Sequence, residues 1–255
     1  MQTNIIQFQT EIYNVGIVFA RIGAVFFLMP TLGETFISTR ARLIFSLFVC
    51  FLVVQTIKHE IPPFPDSVIA LLMTVLTEIT IGIFIGLLMR LYVGALEIAG
   101  MIIAMQSSLA NAFVFNPANA SQGSIPGSLL TMGSLALIFA MDLHHIMIES
   151  AVDSYTVFHP GKISLIGDFS LTLVNQVAKS FVLAIKLSSP FLIAGFIVSL
   201  ALGIISRFIP QIQVFFVFMP LQVGFGLALI YLTFSSMLLL WVEEFEGVLN
   251  LILGR

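Results

Sequence analysis

The chain has 255 residues, of which 59% are hydrophobic and 9% charged, and its formal net charge is -3. Its mean hydropathy is +1.11, whereas about 25% of the residues in an ordinary soluble domain are charged. This composition indicates an integral membrane or membrane-assembly protein, excludes a separate soluble domain and offers no basic patch for nucleic acid.

Apolar segments alternate with polar or proline-containing connectors along the chain. They occupy residues 12–29, 43–57, 68–95, 98–109, 129–148, 177–205 and 212–242. A membrane-spanning helix needs about 20 apolar residues, so the second segment is short for a span and the third is long. No domain linker separates them. The sequence therefore predicts an all-α membrane protein that forms one domain over residues 1–255.

A polar stretch at residues 106–127 lies between two strongly apolar segments. It is rich in Ser, Asn, Gln, Gly and Pro. Backbone that is not helical is tolerated at membrane depth only where protein buries it or where it lines a water-filled cavity. The stretch is therefore predicted to be a loop beside a pore, a gate or a binding cavity.

Several ionisable residues lie within or beside apolar segments. They are Arg21, Glu78, Arg90, Glu97, Asp142, His144, His145, Lys179 and Lys186. A charge at the centre of a bilayer costs roughly 2.5 to 3.5 kcal/mol on insertion scales, so these residues need partners or water. Interhelical pairs or contacts with neighbouring subunits are the favoured interpretation, and a proton or ion relay is the alternative.

The cluster of Asp142, His144 and His145 combines residue types used in metal sites and in acid–base catalysis. Two adjacent histidines on a helix point about 100° apart, unlike the same-face pair of an i, i+4 metal motif. No nucleophile motif accompanies them, and Cys50 is alone in an apolar segment. We therefore expect no catalytic residue, no metal and no cofactor, and a protein that is not an enzyme.

Glycines and prolines refine the predicted helix packing. Gly82 and Gly86 have the spacing that allows membrane helices to approach closely. Pro190, Pro210 and Pro220 are expected to break or kink their segments. A bundle of broken helices is typical of a transporter or of part of a channel.

The sequence resembles the FliR/SctT family of type III secretion export-apparatus proteins. The most specific resemblance lies at residues 203–220, which include Gly203, Arg207, Pro210, Gln211 and Pro220. Further matching positions are Glu97, Gln106, Asn116, Pro117, Asp142 and His144. The family often has Asp before the proline at position 117 and Gly at position 143, where this chain has Asn116 and Leu143.

The resemblance implies a fold of bent helical hairpins within a helical, conical export gate. The early part of the chain would pack like a FliP subunit and the late part like a FliQ subunit. The implied partners are FliP, FliQ, FlhB, unfolded export substrates and the lipid membrane. The implied location is the bacterial inner membrane, at the flagellar basal body or the base of a secretion system.

The resemblance also implies a role for the loop at residues 106–127. Gln106, Phe113, Phe115, Asn116 and Pro117 would form a plug that closes the channel, because an apolar constriction can gate by dewetting. Glu78, Arg90, Glu97, Asp142, His144, Arg207, Pro210 and Gln211 are expected to make structural or assembly contacts. Two alternatives remain open: an autonomous secondary transporter with broken helices around Glu78, Arg90 and Asp142, and a purely structural subunit whose loop does not move.

Overall fold

The computed structural model describes residues 2–33, 37–58, 60–65, 67–111, 123–161, 166–208 and 214–254. The α-helices are α1 (Gln2–Leu28), α2 (Thr39–Ile57), α3 (Val68–Gln106), α4 (Ile125–Ala140), α5 (Leu143–Val157), α6 (Ile166–Phe208) and α7 (Val214–Leu253), with a 3-10 turn at Leu109–Asn111. The described residues contain no strand. The predicted all-α class is confirmed.

The helices differ from the predicted segments in two places. Helix α3 joins the segments at 68–95 and 98–109, because Glu97 lies on its exposed surface and does not interrupt it. The segment at 129–148 is instead divided into α4 and α5. Asp142, between them, has a φ of 57°, in the left-handed region that a continuous helix does not contain.

Pro190 and Pro220 lie inside α6 and α7, which continue through them, so of the two predicted effects, a break or a kink, the break does not occur. Pro190 has no N–H for the carbonyl of Lys186, four residues earlier. The Ser189 hydroxyl donates to that carbonyl at 2.7 Å. A side-chain donor that satisfies the freed carbonyl removes much of the cost of a proline within a membrane helix. Pro210 lies outside the described residues.

Serine residues define the beginnings of three helices. The hydroxyls of Ser38, Ser67 and Ser124 accept from backbone N–H groups in the first turns of α2, α3 and α4, at 3.3, 3.2 and 3.0 Å. The first N–H groups of a helix have no partner within it, so a side-chain oxygen at this position stabilises the helix by about 1 kcal/mol. These caps explain why the helices begin directly after polar connectors.

Among the described residues, five helical stretches are long and apolar enough to cross a membrane. They are Phe8–Leu28, Thr39–Ile57, Val68–Gln106, Phe169–Phe208 and Phe218–Leu253. The bent pair α4 and α5 is a sixth candidate. Within the 18-residue apolar window of each stretch, only 11% to 44% is buried inside the chain. Most of their apolar surface is therefore left for lipid or for other proteins to cover.

The chain forms two compact units. The first contains Met1–Leu91, Ile138–Gln176 and Phe245–Arg255, and the second contains Tyr92–Leu137 and Val177–Glu244. The first unit is built around α1. Cys50 of α2 and Tyr155 of α5 both donate to backbone carbonyls of α1, each at 3.3 Å.

A buried ion pair lies at the centre of the first unit. The Nε of Arg21 donates to Oε2 of Glu78 at 2.7 Å, and neither side chain has any exposed surface. The same guanidinium donates to the carbonyl of Ser154 at 3.1 Å and lies over the ring of Tyr155, 4.1 Å from its centroid. The other carboxylate oxygen accepts from the backbone N–H of Gly161 at 3.2 Å. The pair thus joins α1, α3, α5 and the turn after α5.

Helix α3 approaches α1 most closely beside this pair, at Gly82. A Cβ atom at Gly82 would collide with the backbone carbonyl oxygen of Arg21 and would lie 2.8 Å from the Cβ of Ala24. A small residue at this position lets two membrane helices meet backbone to backbone. The close approach places Glu78, one turn earlier on α3, within reach of Arg21.

The second unit is held by contacts among α3, α4 and α7. The indole N–H of Trp241 on α7, which is fully buried, donates to the carbonyl of Tyr92 on α3 at 2.8 Å. Gly100 of α3 faces Gly127 of α4 so closely that a Cβ at position 100 would overlap the backbone of Gly127. The two glycines therefore set the distance between α3 and α4.

Replacing Glu78 by Leu is expected to destabilise the protein by about 3 to 5 kcal/mol, because Arg21 would keep a buried charge without its counter-ion. Denaturant unfolding in detergent, followed by circular dichroism, measures the change. Lys58→Met is the control, since it breaks the exposed pair between Lys58 and Glu11 and should cost less than about 1 kcal/mol.

The double variant R21M/E78L removes both charges and should recover most of the stability lost in E78L, since apolar replacements of a buried pair are often neutral. A double variant as unstable as E78L would contradict the ion-pair explanation.

Gly82→Leu is expected to destabilise the first unit by at least about 1 to 3 kcal/mol, the usual cost of overpacking, because its Cβ meets backbone that cannot move aside. Gly94→Leu is the matched control on the same helix, since a Cβ at Gly94 meets nothing within 4 Å. The same unfolding measurement compares them. Equal stability of the two variants would show that the contact between α3 and α1 is not tight.

Candidate functional site: the anchored loop

The candidate site is the loop between α3 and α4, of which the structure describes both ends. Gln106 is the last residue of α3, and Gly123 and Ser124 precede α4. Phe113, Phe115, Asn116 and Pro117 of the predicted plug lie outside the described residues. The structure therefore defines how the loop is held at each end.

The first end is clamped between α6 and α7 of the second unit. The side-chain amide of Gln222 on α7 donates to the backbone carbonyl of Gln106 at 2.7 Å. A Cβ at Gly195 of α6 would collide with Oε1 of Gln106, and a Cβ at Gly226 of α7 would collide with Cβ of Ser107. Glycine on both neighbouring helices is what lets this end of the loop enter the space between them.

The clamp leaves almost no free volume. The cleft lined by Gln106, Ser107, Gly195, Gln222 and Gly226 holds about 10 Å³, the smallest space that can hold a single water. The hydroxyl of Ser107 is directed back to the carbonyl of Ile103 at 2.7 Å. Its polar atom is thus satisfied within α3, and the contact with α7 is made by carbon atoms.

Helix α3 ends within this clamp, at Gln106. Ser108 has a φ of 59°, a left-handed conformation that terminates the helix, and a 3-10 turn follows at Leu109–Asn111. Ser107 and Ser108 are both buried. The chain therefore leaves α3 through a fixed turn within the protein.

The other end is fixed by Ser124 and Gly127. Gly123 has a φ of 80°, and Ser124, which is buried, caps α4 by accepting from the N–H of Gly127 at 3.0 Å. Gly127 packs directly against Gly100 of α3. Both ends of the loop are thus held by close contacts with α3, α6 and α7.

The remaining predicted contact residues are dispersed. Glu78 is buried in the ion pair with Arg21, whereas Arg90, Glu97 and Arg207 are exposed on helix surfaces. Pro210 and Gln211 lie outside the described residues. Lys186 pairs with Glu244 of α7 at 3.1 Å. Sequence reasoning missed Gln222, Gly195 and the Ser154 carbonyl, which carry no motif and become partners only through folding.

Asp142, His144 and His145 form a compact cluster between α4 and α5. Their ligand atoms, one from each residue, lie within 4.8 Å of one another. The two imidazole rings lie 4.1 Å apart between centroids, at an angle of 35°. Although adjacent side chains leave a helix in directions about 100° apart, the two rings turn toward each other here.

The sequence model of the family described as bacterial export proteins, family 1, matches residues 12–248. The flagellar biosynthetic protein FliR of Caulobacter vibrioides is 34% identical to this chain over 94% of it and 96% of the relative. FliR of Bacillus subtilis is 25% identical over 92% and 94% of the two chains. The Yop proteins translocation protein T of Yersinia pestis is 29% identical over 79% and 78%.

These relatives match 79% to 94% of the chain and include both flagellar proteins and a translocation protein. Together with the apolar helices, they confirm the predicted bacterial inner-membrane location, at a flagellar or secretion-system base. They also support a role in type III export, performed as a component of the export apparatus. The chain belongs to the bacterial export proteins, family 1.

Proposed function

We propose that this chain is a single-copy component of the type III export gate, of the flagellar kind, and that it forms the secretion channel together with FliP and FliQ. In this proposal FlhB contacts the assembly, and unfolded substrates pass through it. The observation that carries the proposal is the match over 94% of the chain to a flagellar biosynthetic protein.

Exposed apolar surface supports assembly with other subunits. Large apolar side chains project from α6 and α7 with half or more of their surface exposed, among them Phe181, Phe196, Ile197, Leu200, Phe225 and Leu232. Exposed apolar patches of this extent mark membrane or protein contact surfaces. The proposal assigns them to neighbouring subunits in a conical assembly of bent helical hairpins, with a FliP-like early part and a FliQ-like late part.

The loop at residues 106–127 is proposed to close the channel. The anchors at Gln106 and at Gly127 support this role, because a plug must resist displacement at its ends while its middle moves. In this proposal Phe113 and Phe115 supply rings that exclude water from a narrow passage, and Asn116 with Pro117 supplies residue types that favour a turn. An apolar constriction of this kind blocks ions by dewetting.

Co-expression with FliP and FliQ, followed by affinity capture on this chain and native mass spectrometry, is expected to yield one copy of the chain in a larger mixed complex. The physical reason is the apolar surface that the isolated chain leaves uncovered. A stable monomer or homodimer that captures neither partner would contradict the gate proposal and favour an autonomous transporter.

Replacing Phe113 and Phe115 together by Ala is expected to raise ion leakage through the assembled complex without changing its composition, because the constriction would become wider and easier to wet. Conductance of the purified complex in planar bilayers measures the leakage. Deletion of residues 111–123 should raise it further.

Phe8→Ala is the matched control for the double variant, since Phe8 is an exposed ring on α1 outside the loop. It should conduct as the wild type does. Unchanged conductance in the deletion variant, with the complex intact, would show that the loop is a structural connector and does not close the channel.

A further inference from the structure

We propose that Asp142, His144 and His145 form a binding site for a divalent transition-metal ion of the Zn²⁺ type at the break between α4 and α5. Two imidazoles and one carboxylate are a ligand set that suits zinc and its neighbours. The three ligand atoms lie within 4.8 Å of one another. The site belongs to the first unit and is separate from the anchored loop.

The distances between the ligand atoms fit a single ion. Zinc binds imidazole nitrogen and carboxylate oxygen at about 2.0 to 2.2 Å, so ligand atoms around one ion lie roughly 3 to 4 Å apart. Oδ1 of Asp142 and Nδ1 of His145 are already 3.6 Å apart. This separation is too long for a hydrogen bond and is within the range for two ligands of one metal. The ligand atom of His144 lies within 4.8 Å of both.

The backbone conformation at Asp142 brings its carboxylate close to the two histidines. Asp142 adopts a left-handed conformation, so its side chain leaves the chain in a direction that a helical residue could not have. His144 and His145 follow in the first turn of α5, and the N–H of His145 donates to the carbonyl of Asp142 at 3.0 Å. The turn therefore folds the carboxylate back toward the two rings.

Within the part of the chain that the structure describes, the side chains of the cluster make no hydrogen bond to a partner outside it. The carboxylate of Asp142 makes no capping hydrogen bond to α5, although it lies at the N-cap position. Nδ1 of His144 is buried and has no hydrogen-bond partner among the described residues. A buried polar atom left unpaired costs about 1 to 3 kcal/mol, so an ion at the cluster would relieve an existing cost.

The cluster is preorganised on one side and open on the other. The ring of His144 is held between the rings of Phe139 and His145, at centroid distances of 5.2 and 4.1 Å. The side chains of Asp142 and His145 are 76% and 71% exposed. An ion can therefore enter from outside and would keep coordination positions open for water or a further ligand, as in zinc sites with three protein ligands.

The partial positive charge at the N-terminus of α5 opposes cation binding, and the carboxylate of Asp142 compensates for it. With three ligands and this opposing field, the site should bind more weakly than a closed four-ligand structural site. A bound ion would connect the left-handed residue to the first turn of α5 and would hold the break between the two helices in one conformation.

The test is a Zn²⁺ titration of the full-length chain in detergent, or of its complex where one forms. The protein is first purified without a histidine tag and treated with a chelator. Competition with a chromogenic chelator measures the affinity, and Co²⁺ absorption reports the ligand geometry. We expect the wild type to bind one more ion per copy of this chain than H144Q/H145Q. Each single histidine variant should bind the ion at least about tenfold more weakly, since loss of a group that only hydrogen-bonds to a metal ligand already lowers metal affinity 10- to 100-fold.

His159→Gln is the matched control, because it removes an exposed imidazole outside the cluster and should leave the titration unchanged. Asp142→Asn preserves the fold, since Asn tolerates the left-handed conformation, and should also weaken binding about tenfold. Wild-type binding by H144Q/H145Q would overturn the proposal. Equal loss in H159Q would show nonspecific histidine binding, and unchanged affinity in D142N would exclude the three-ligand site.

Discussion

The arrangement of the first unit depends on one buried ion pair, between Arg21 and Glu78. Neither side chain has exposed surface, so each charge would be prohibitively costly alone in an apolar surrounding. Their mutual contact is possible only because Gly82 lets α3 approach the backbone of α1. A second guanidinium nitrogen donates to the carbonyl of Ser154, and the second carboxylate oxygen accepts from the N–H of Gly161. The pair therefore specifies which helices meet in a unit where apolar packing alone would allow several alternatives.

In the second unit, as at Gly82 in the first, glycines allow close contacts because they have no side chain. Gly195 and Gly226 create the space that Gln106 and Ser107 occupy, and Gly100 lets Gly127 approach α3. Polar atoms in these contacts are satisfied within the protein, as the bond from Gln222 to Gln106 shows. An irregular chain can leave a helix among apolar neighbours only under this condition. The anchors thus explain how a polar loop is compatible with a protein this apolar.

The break at Asp142 shows why a polar cluster can have more than one interpretation. Read on a continuous helix, His144 and His145 diverge, and the cluster does not suggest a metal. The left-handed residue ends that helix and begins another, which brings the carboxylate of Asp142 close to the histidines, and the two rings turn toward each other. Pro190 gives the opposite result, because the hydroxyl of Ser189 satisfies the carbonyl that the proline leaves free. The helix therefore stops where the backbone of Asp142 turns left-handed and continues where a neighbouring hydroxyl compensates for Pro190.

The class of this protein follows from its composition and hydropathy, because the pattern of apolar residues is enough to show which segments must be removed from water. The all-α class, the membrane location and the family were predictable from the sequence. The partners of Arg21, the clamp around Gln106, the single helix through Glu97 and the convergence at Asp142 were not. These features depend on which parts of the backbone approach each other. Glycine contacts between distant segments and left-handed residues at helix ends set that geometry, and they do so only once the chain has folded.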